Sequence, residues 1–195
     1  MPATSLTQEE RDFLLTLARE TIERAARVPA HDAEPVLDNS PTERLKKPGA
    51  SFVTLHTRNG ALRGCIGSLV ARRSLLKDIH ANALAAAFHD PRFPPVTPEE
   101  LDNLVVEVSV LSNPQPLDYK GPADLVKKLR PQVDGVVLKK GVHRATFLPQ
   151  VWEQLPSAEI FLAHLCQKAG LPPNAWRAGD LEISTYQVEK FEESH

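Results

Sequence analysis

The sequence predicts an α+β fold with a mainly antiparallel sheet flanked by helices. Three observations carry this. Strand-like runs come in pairs joined by short turns, around Asn59-Gly60 and around Lys140-Gly141. Amphipathic segments with helix-start residues lie between the pairs. One run, LVVEVSVL from Leu104 to Leu111, alternates with the period of two that a strand requires. Helices mixed with hairpins, rather than strictly alternating with single strands, favour α+β over a doubly wound sheet. At 195 residues the chain suits one domain, or one domain with a smaller lobe.

Each element has its own signal. Thr7 followed by Glu10 is a capping-box pattern. Phe13, Leu14, Leu17, Ala18, Thr21, Ile22, Ala25 and Ala26 then recur at helical spacing, and the helix should end before Pro29. From Pro29 to Gly49 the chain is rich in Pro, Asp, Asn and Ser and reads as a long surface loop. SFVTLHT and ALRGCI make the first hairpin. LLKDIHANALAAAF, Leu75 to Phe88, is a helix whose alanines allow close packing. Thr97-Pro98-Glu99-Glu100 signals a further helix start. In the strand that follows, Leu104, Val106, Val108 and Val110 line one face; Val105, Glu107, Ser109 and Leu111 line the other. Asp124 to Leu129 reads as a short helix, and VDGVVLKKGVHRATFL as the second hairpin. Ser157 caps the helix AEIFLAHLCQKA, which Gly170 ends. LEISTYQVEKF, Leu181 to Phe191, reads as one final strand.

Composition narrows the function. The formal net charge is −2, without a long block of one sign, so a generic nucleic-acid binder is disfavoured. No apolar segment is long enough to span a membrane, and MPATSLTQEERDFL lacks the basic start and apolar run of a signal peptide. The expected location is the cytoplasm, with Cys65 and Cys166 unbonded to each other.

The chemistry centres on LRGCIGSL, Leu62 to Leu69. In an unbroken strand Arg63 and Cys65 share a face, and Gly64 and Ile66 the other. A guanidinium beside a thiol favours thiolate, while Gly64 and Gly67 leave room for a ligand or another backbone. One reading is therefore a nucleophilic or redox thiol with Arg63 holding an anionic group bidentately. The other is a buried structural cysteine with Gly64 at a bulge. Ser68 with Arg72 and Arg73 reads as a solvated basic turn, since no Walker or GxGxxG pattern is present. HDPRFPP offers Asp90 and Arg92 as further binding residues. Glu107, inside an apolar strand, is either solvated or a buried carboxylate needing Arg63, Arg92 or Arg144. His143 and Arg144 lie on opposite faces of their strand, and either can reach a cleft. His80 and His89, nine residues apart, fall on opposite faces of one helix, and no ligand-spaced cluster occurs; neither a metal nor a cofactor is expected. Cys166, Trp152 and Trp176 read as core.

LRGCIGSL, HDPRFPP followed by TPEEL, VEVSVLSNP, and ATFLPQVWEQLP with FLAHLCQKAGL occur in this order, from about Phe13 to Phe191. Together they resemble the AMMECR family, named from the AMME chromosomal-region candidate protein in humans and known in bacteria and archaea as protein A of the AmmeMemoRadiSam system. The resemblance implies one domain over 1–195 with a smaller lobe, and places RGCIG, near 62–69, at a cleft. It also implies a Memo-like and a radical-SAM protein as partners. The expectation is then a cleft around Arg63, Cys65 and Glu107. In an enzyme or enzyme component acting on a small anionic molecule, Cys65 would be the nucleophile, Arg63 the anion clamp, and Glu107 or His143 the acid or base. The rival is a non-catalytic protein-interaction module of the same pathway.

Overall fold

Thr7 and Glu10 start the first helix with reciprocal bonds. The Thr7 N–H donates to Glu10 Oε2 at 2.8 Å, and the Glu10 N–H donates to Thr7 Oγ1 at 3.2 Å. This helix, α1, runs Gln8–Arg27 and buries Leu14, Leu17, Ala18, Thr21 and Ile22. The structure, a computed structural model, describes residues 5–27 and 39–194. Much of the expected long loop, 29–38, lies outside the described residues. Its last part differs from the expectation. Glu43–Lys46 is a 3-10 turn that buries Leu45, and a strand begins at Pro48. A lone apolar residue has no periodicity to announce it, and proline is tolerated as the first residue of a strand.

Strand β1, Pro48–Thr57, forms a hairpin with β2, Leu62–Gly67. Gly60, at φ +85°, supplies the left-handed turn residue. A two-residue strand, β3 (Arg73–Ser74), pairs with Gly49 and Pro48 at the start of β1. It leads into α2, Leu75–Phe88, where Ser74 Oγ accepts the Lys77 N–H. The TPEEL signal produces a 3-10 helix, Pro98–Asn103, rather than an α-helix. Next comes β4, Leu104–Leu111, antiparallel to β1, as the alternation predicts. Val53, Leu55, Leu104, Val106 and Val108 form one core with Leu14 and Ile22 of α1 and Ile79, Ala83 and Ala86 of α2.

The chain divides into two compact units, Met1–Leu111 with Glu189–His195, and Ser112–Val188. The second holds β5 (Gln115–Pro116), α3 (Pro122–Lys128), β6 (Gly135–Lys140), β7 (His143–Phe147), α4 (Ala158–Lys168) and β8 (Glu182–Tyr186). Its sheet order is β5-β8-β6-β7, with every pair antiparallel. Its core is built on Trp152, stacked on Phe161 at 3.8 Å between ring centroids, with Leu138, Leu162, Leu165 and Cys166 around them. The Trp152 Nε1–H donates to the Asp134 carbonyl at 2.7 Å, which satisfies its one polar atom.

The single final strand expected over Leu181–Phe191 is two strands. β8 belongs to the second unit's sheet, while β9, Val188–Glu192, lies beside β4 in the order β2-β1-β4-β9. Between them Gln187 is tied to Ser112: its N–H donates to the Ser112 side-chain Oγ and its carbonyl accepts the Ser112 N–H, both at 2.9 Å. Alternation in sequence describes a strand's faces but not which sheet receives them, so the break at Gln187 left no mark.

Candidate functional site

The β1 register brings two predicted residues into one row. Thr54 is the cross-strand partner of Cys65 on β2 and of Glu107 on β4. Directly opposed residues share a face, so Cys65, Thr54 and Glu107 stand side by side across three strands. The Thr54 hydroxyl donates to Cys65 Sγ at 3.2 Å. Glu107 is only 6% exposed, yet its partners are neither Arg63, Arg92 nor Arg144. Lys190 of β9 meets Glu107 Oε2 at 2.8 Å, and His56 Nε2 lies 3.9 Å away. A buried carboxylate is thus paired with the ammonium of an exposed lysine. Thr54, His56 and Lys190 were not singled out in the sequence. Only the pairing of β1 with β2 and β4, and the return of β9, brings them there.

Arg63 does not accompany Cys65. Leu55 pairs with Gly64 but His56 pairs with Leu62, so β2 carries one extra residue at Arg63. Such a bulge re-aims a side chain and breaks simple alternation. The guanidinium is 8% exposed and grips Glu100, Nε to Oε1 at 2.7 Å and Nη2 to Oε2 at 3.0 Å. Nη2 also donates to the Pro94 carbonyl, and the group lies 5.9 Å from the Phe93 ring centroid. The expected anion clamp is therefore already closed on a carboxylate of the same chain. Arg63 holds the carboxyl of Glu100 below the usual carboxylate range, and the Thr97 N–H, which donates to the same group, adds to this.

Asp90 and Arg92 do converge on Cys65, through its backbone. The Cys65 N–H donates to Asp90 Oδ2 at 2.9 Å, and Arg92 Nη2 donates to the Cys65 carbonyl at 3.2 Å. Arg92 in turn holds Asp90, Nη2 to Oδ2 at 2.7 Å. These bonds from Arg92, aided by the N–H groups of Cys65 and Arg92, keep the Asp90 carboxyl far below its ordinary pKa. The pair works as a clip on the exposed edge of β2, and Arg92 is no more a free clamp than Arg63.

The two glycines have structural reasons to be there. A Cβ on Gly64 would come within 2.2 Å of the Ala86 carbonyl oxygen, so α2 lies directly against the strand. A Cβ on Gly67 would enter the Phe52 ring at 2.2 Å. The space beside Gly64 is filled by a helix and that beside Gly67 by an aromatic ring.

His143 and Arg144 belong to the second unit. The Nδ1 of His143 is 2.9 Å from the Ala169 carbonyl, and Arg144 is an exposed cross-strand partner of Lys139. Cys166 is fully buried, and burial pushes its thiol pKa up. Both cysteines are free thiols. Among the described residues no cluster of three or more His, Cys, Asp or Glu is arranged to hold a metal. No described helix is long and apolar enough to cross a membrane.

Comparisons with known proteins agree with this architecture. A family model described as AMMECR1 matches residues 15–191. The chain is 39% identical over 194 residues to protein MJ0810 of Methanocaldococcus jannaschii, covering 96% of this chain and 92% of that protein. It is 40% identical over 199 residues to protein PF1979 of Pyrococcus furiosus, covering 97% and 91% respectively. It is also similar to the crystal structure of the uncharacterized protein PH0010 from Pyrococcus horikoshii. That match has a TM-score of 0.77 at 38% identity, over 97% of this chain and 94% of the other.

Proposed function

The chain belongs to the AMMECR1 family, and from that premise we propose that it is an enzyme or enzyme component whose reactive group is the thiol of Cys65, acting on a small anionic molecule. One observation carries the reading: the cross-strand row in which Thr54 Oγ1 donates to Cys65 Sγ and stands opposite Glu107. The donated hydroxyl holds the sulfur in place within the row, and the nucleophile of a reactive cysteine is its thiolate. Glu107, with Lys190 and His56 beside it, is the proton-handling group of the row. Asp90 and Arg92 position the Cys65 backbone, and Arg63 positions β2 against Glu100. His143 takes no part in this reading. The protein is read as cytoplasmic, where a free thiol persists.

The test is iodoacetamide alkylation of Cys65 against pH, in a Cys166→Ser background, with and without Thr54→Val. Mass spectrometry then follows protein incubated with cell metabolites, native against Cys65→Ser. The reading expects alkylation of the folded protein near neutral pH, slower in Thr54→Val, and an adduct that Cys65→Ser abolishes. Alkylation only upon unfolding would make Cys65 structural and remove the nucleophile.

A second reading is a non-catalytic interaction module, with the Memo-like and radical-SAM proteins of the AmmeMemoRadiSam system as partners. Leu62 at the start of β2 and Leu69 and Val70 beyond its end, 41%, 42% and 45% exposed, favour it. Co-purification lost in Leu69→Ser but kept in Cys65→Ser would favour this alternative.

A further inference from the structure

Asp78, on the first turn of α2, is buried and accepts five hydrogen bonds. Its Oδ2 takes the Ser51 N–H, the Ser51 hydroxyl and Asn82 Nδ2, at 2.9, 2.7 and 3.0 Å. Its Oδ1 takes the Ser68 hydroxyl at 2.8 Å and Arg73 Nε at 2.9 Å. A carboxylate so satisfied has little acceptor capacity left.

The donor from Arg73 matters most. Its backbone is fixed by pairing with Gly49, and its guanidinium is fixed at Nε. Its two Nη atoms make no hydrogen bond to any described residue. Neighbouring Arg72, which is exposed, makes no hydrogen bond or ion pair with any described residue. Ser68, Leu69, Val70, Arg72, Arg73 and Asp78 line a cavity of about 390 Å³. Two guanidinium groups against one carboxylate leave its wall with a formal charge of +1. The N-terminal end of α2, which begins two residues after Arg73, adds further positive potential.

We propose that this cavity binds a small molecule with an anionic head, phosphate or carboxylate, and a short apolar body. The head meets the Nη atoms of Arg73, held in advance by Asp78, together with Arg72; planar guanidinium groups suit both kinds of head. Leu69 and Val70 contact the body, which explains two apolar side chains beside two arginines. The volume falls within the range of roughly 300–1,000 Å³ typical of small-molecule pockets. Cys65, Thr54 and Glu107 do not line the cavity, so the site stands whether or not the thiol is reactive.

The test follows backbone amides of the full-length isotope-labelled protein by NMR during titration with n-butyl phosphate, butyrate, inorganic phosphate and n-butanol. Saturable shifts at Ser68–Arg73 are expected with butyl phosphate or butyrate, and the stronger of the two identifies the head. Inorganic phosphate should bind about tenfold more weakly than butyl phosphate, having no apolar body. Butanol should produce no saturable shift. Arg72→Gln and Arg73→Gln should each weaken binding about tenfold, by loss of a charge-assisted contact. Arg72→Gln removes no bond of the fold, so its effect reports on the ligand even if Arg73→Gln perturbs Asp78. The proposal is overturned if neither organic anion gives saturable shifts. It is equally overturned if Arg72→Gln binds as the native chain does, or if inorganic phosphate binds as tightly as butyl phosphate.

Discussion

Gly64 shows how one residue's role turns on a neighbour distant in sequence. Read from sequence alone, a glycine here leaves room for a ligand or another backbone. Gly64 does not have positive φ, so backbone strain is not the issue. The Ala86 carbonyl, 2.2 Å from where a Cβ would stand, is the issue. It is backbone and cannot swing aside. Gly64→Ala should therefore cost roughly 1–3 kcal/mol, the range for overpacking a core, as measured by urea denaturation. A cost near zero would mean that α2 shifts freely off the strand. Asp78 makes a similar point for polar groups. Asp78→Asn replaces one acceptor oxygen with a donor, which then faces either the donors from Ser51 and Asn82 or those from Ser68 and Arg73. Leaving buried donors unmatched should cost about 2 kcal/mol or more in the same measurement. Asp78 and Asn82, four apart and so on one face of α2, were a legible sign of a polar cluster on that face.

At the scale of elements, α1 is tied to the turn before β1 through a buried carboxylate. Arg44 and Thr42 both bond Glu10, which also caps the helix by accepting from Thr7. The Arg44 bonds, then those from Thr42 and the Thr7 N–H, outweigh burial and lower the Glu10 pKa from 4.5 to about 2. The folded pKa is depressed, so the stabilisation is complete above the unfolded value and disappears as pH falls through the folded one. Glu10→Gln should thus lower Tm at neutral pH. The gap to the native protein should stay constant down to the unfolded value of 4.5, then close as pH falls toward about 2. Melting curves over that range check it, and a gap that persists at the acid end would deny the carboxylate its role. The capping box itself was readable in Thr7-Gln8-Glu9-Glu10. Arg44 as its partner was not, because it lies 34 residues beyond Glu10 in the sequence.

For the whole molecule, the decisive fact is that the first unit is completed by the last residues of the chain. β9 lies beside β4 and brings Lys190 to Glu107. Beyond it Glu193 accepts from Arg19 of α1 and from the Val106 N–H, and its own N–H donates to the Val106 carbonyl. A chain ending at Gln187 loses all of these and leaves Glu107 without its lysine. It should melt at lower temperature, with amide protection falling first in β4 and α1, as hydrogen exchange would reveal. Unchanged protection in β4 would show that β9 is dispensable.

The sequence by itself determined the local elements: α1 from its capping box, the β1–β2 hairpin from Asn59-Gly60, α2 and β4 from their periods, and the two tryptophans as core. These depend on neighbours a few residues apart, where propensity and periodicity act. It also singled out Cys65 and Glu107 as chemistry worth locating. Tertiary structure alone decided that Thr54 joins them and that an extra residue in β2 sends Arg63 to Glu100. Pairing across the sheet likewise brought Lys190 to Glu107 and divided the last strand between two sheets. The physical reason is that register is a relation between strands: its choice depends on which buried faces and hydrogen-bond ladders meet in space, and one added residue reverses every side chain beyond it.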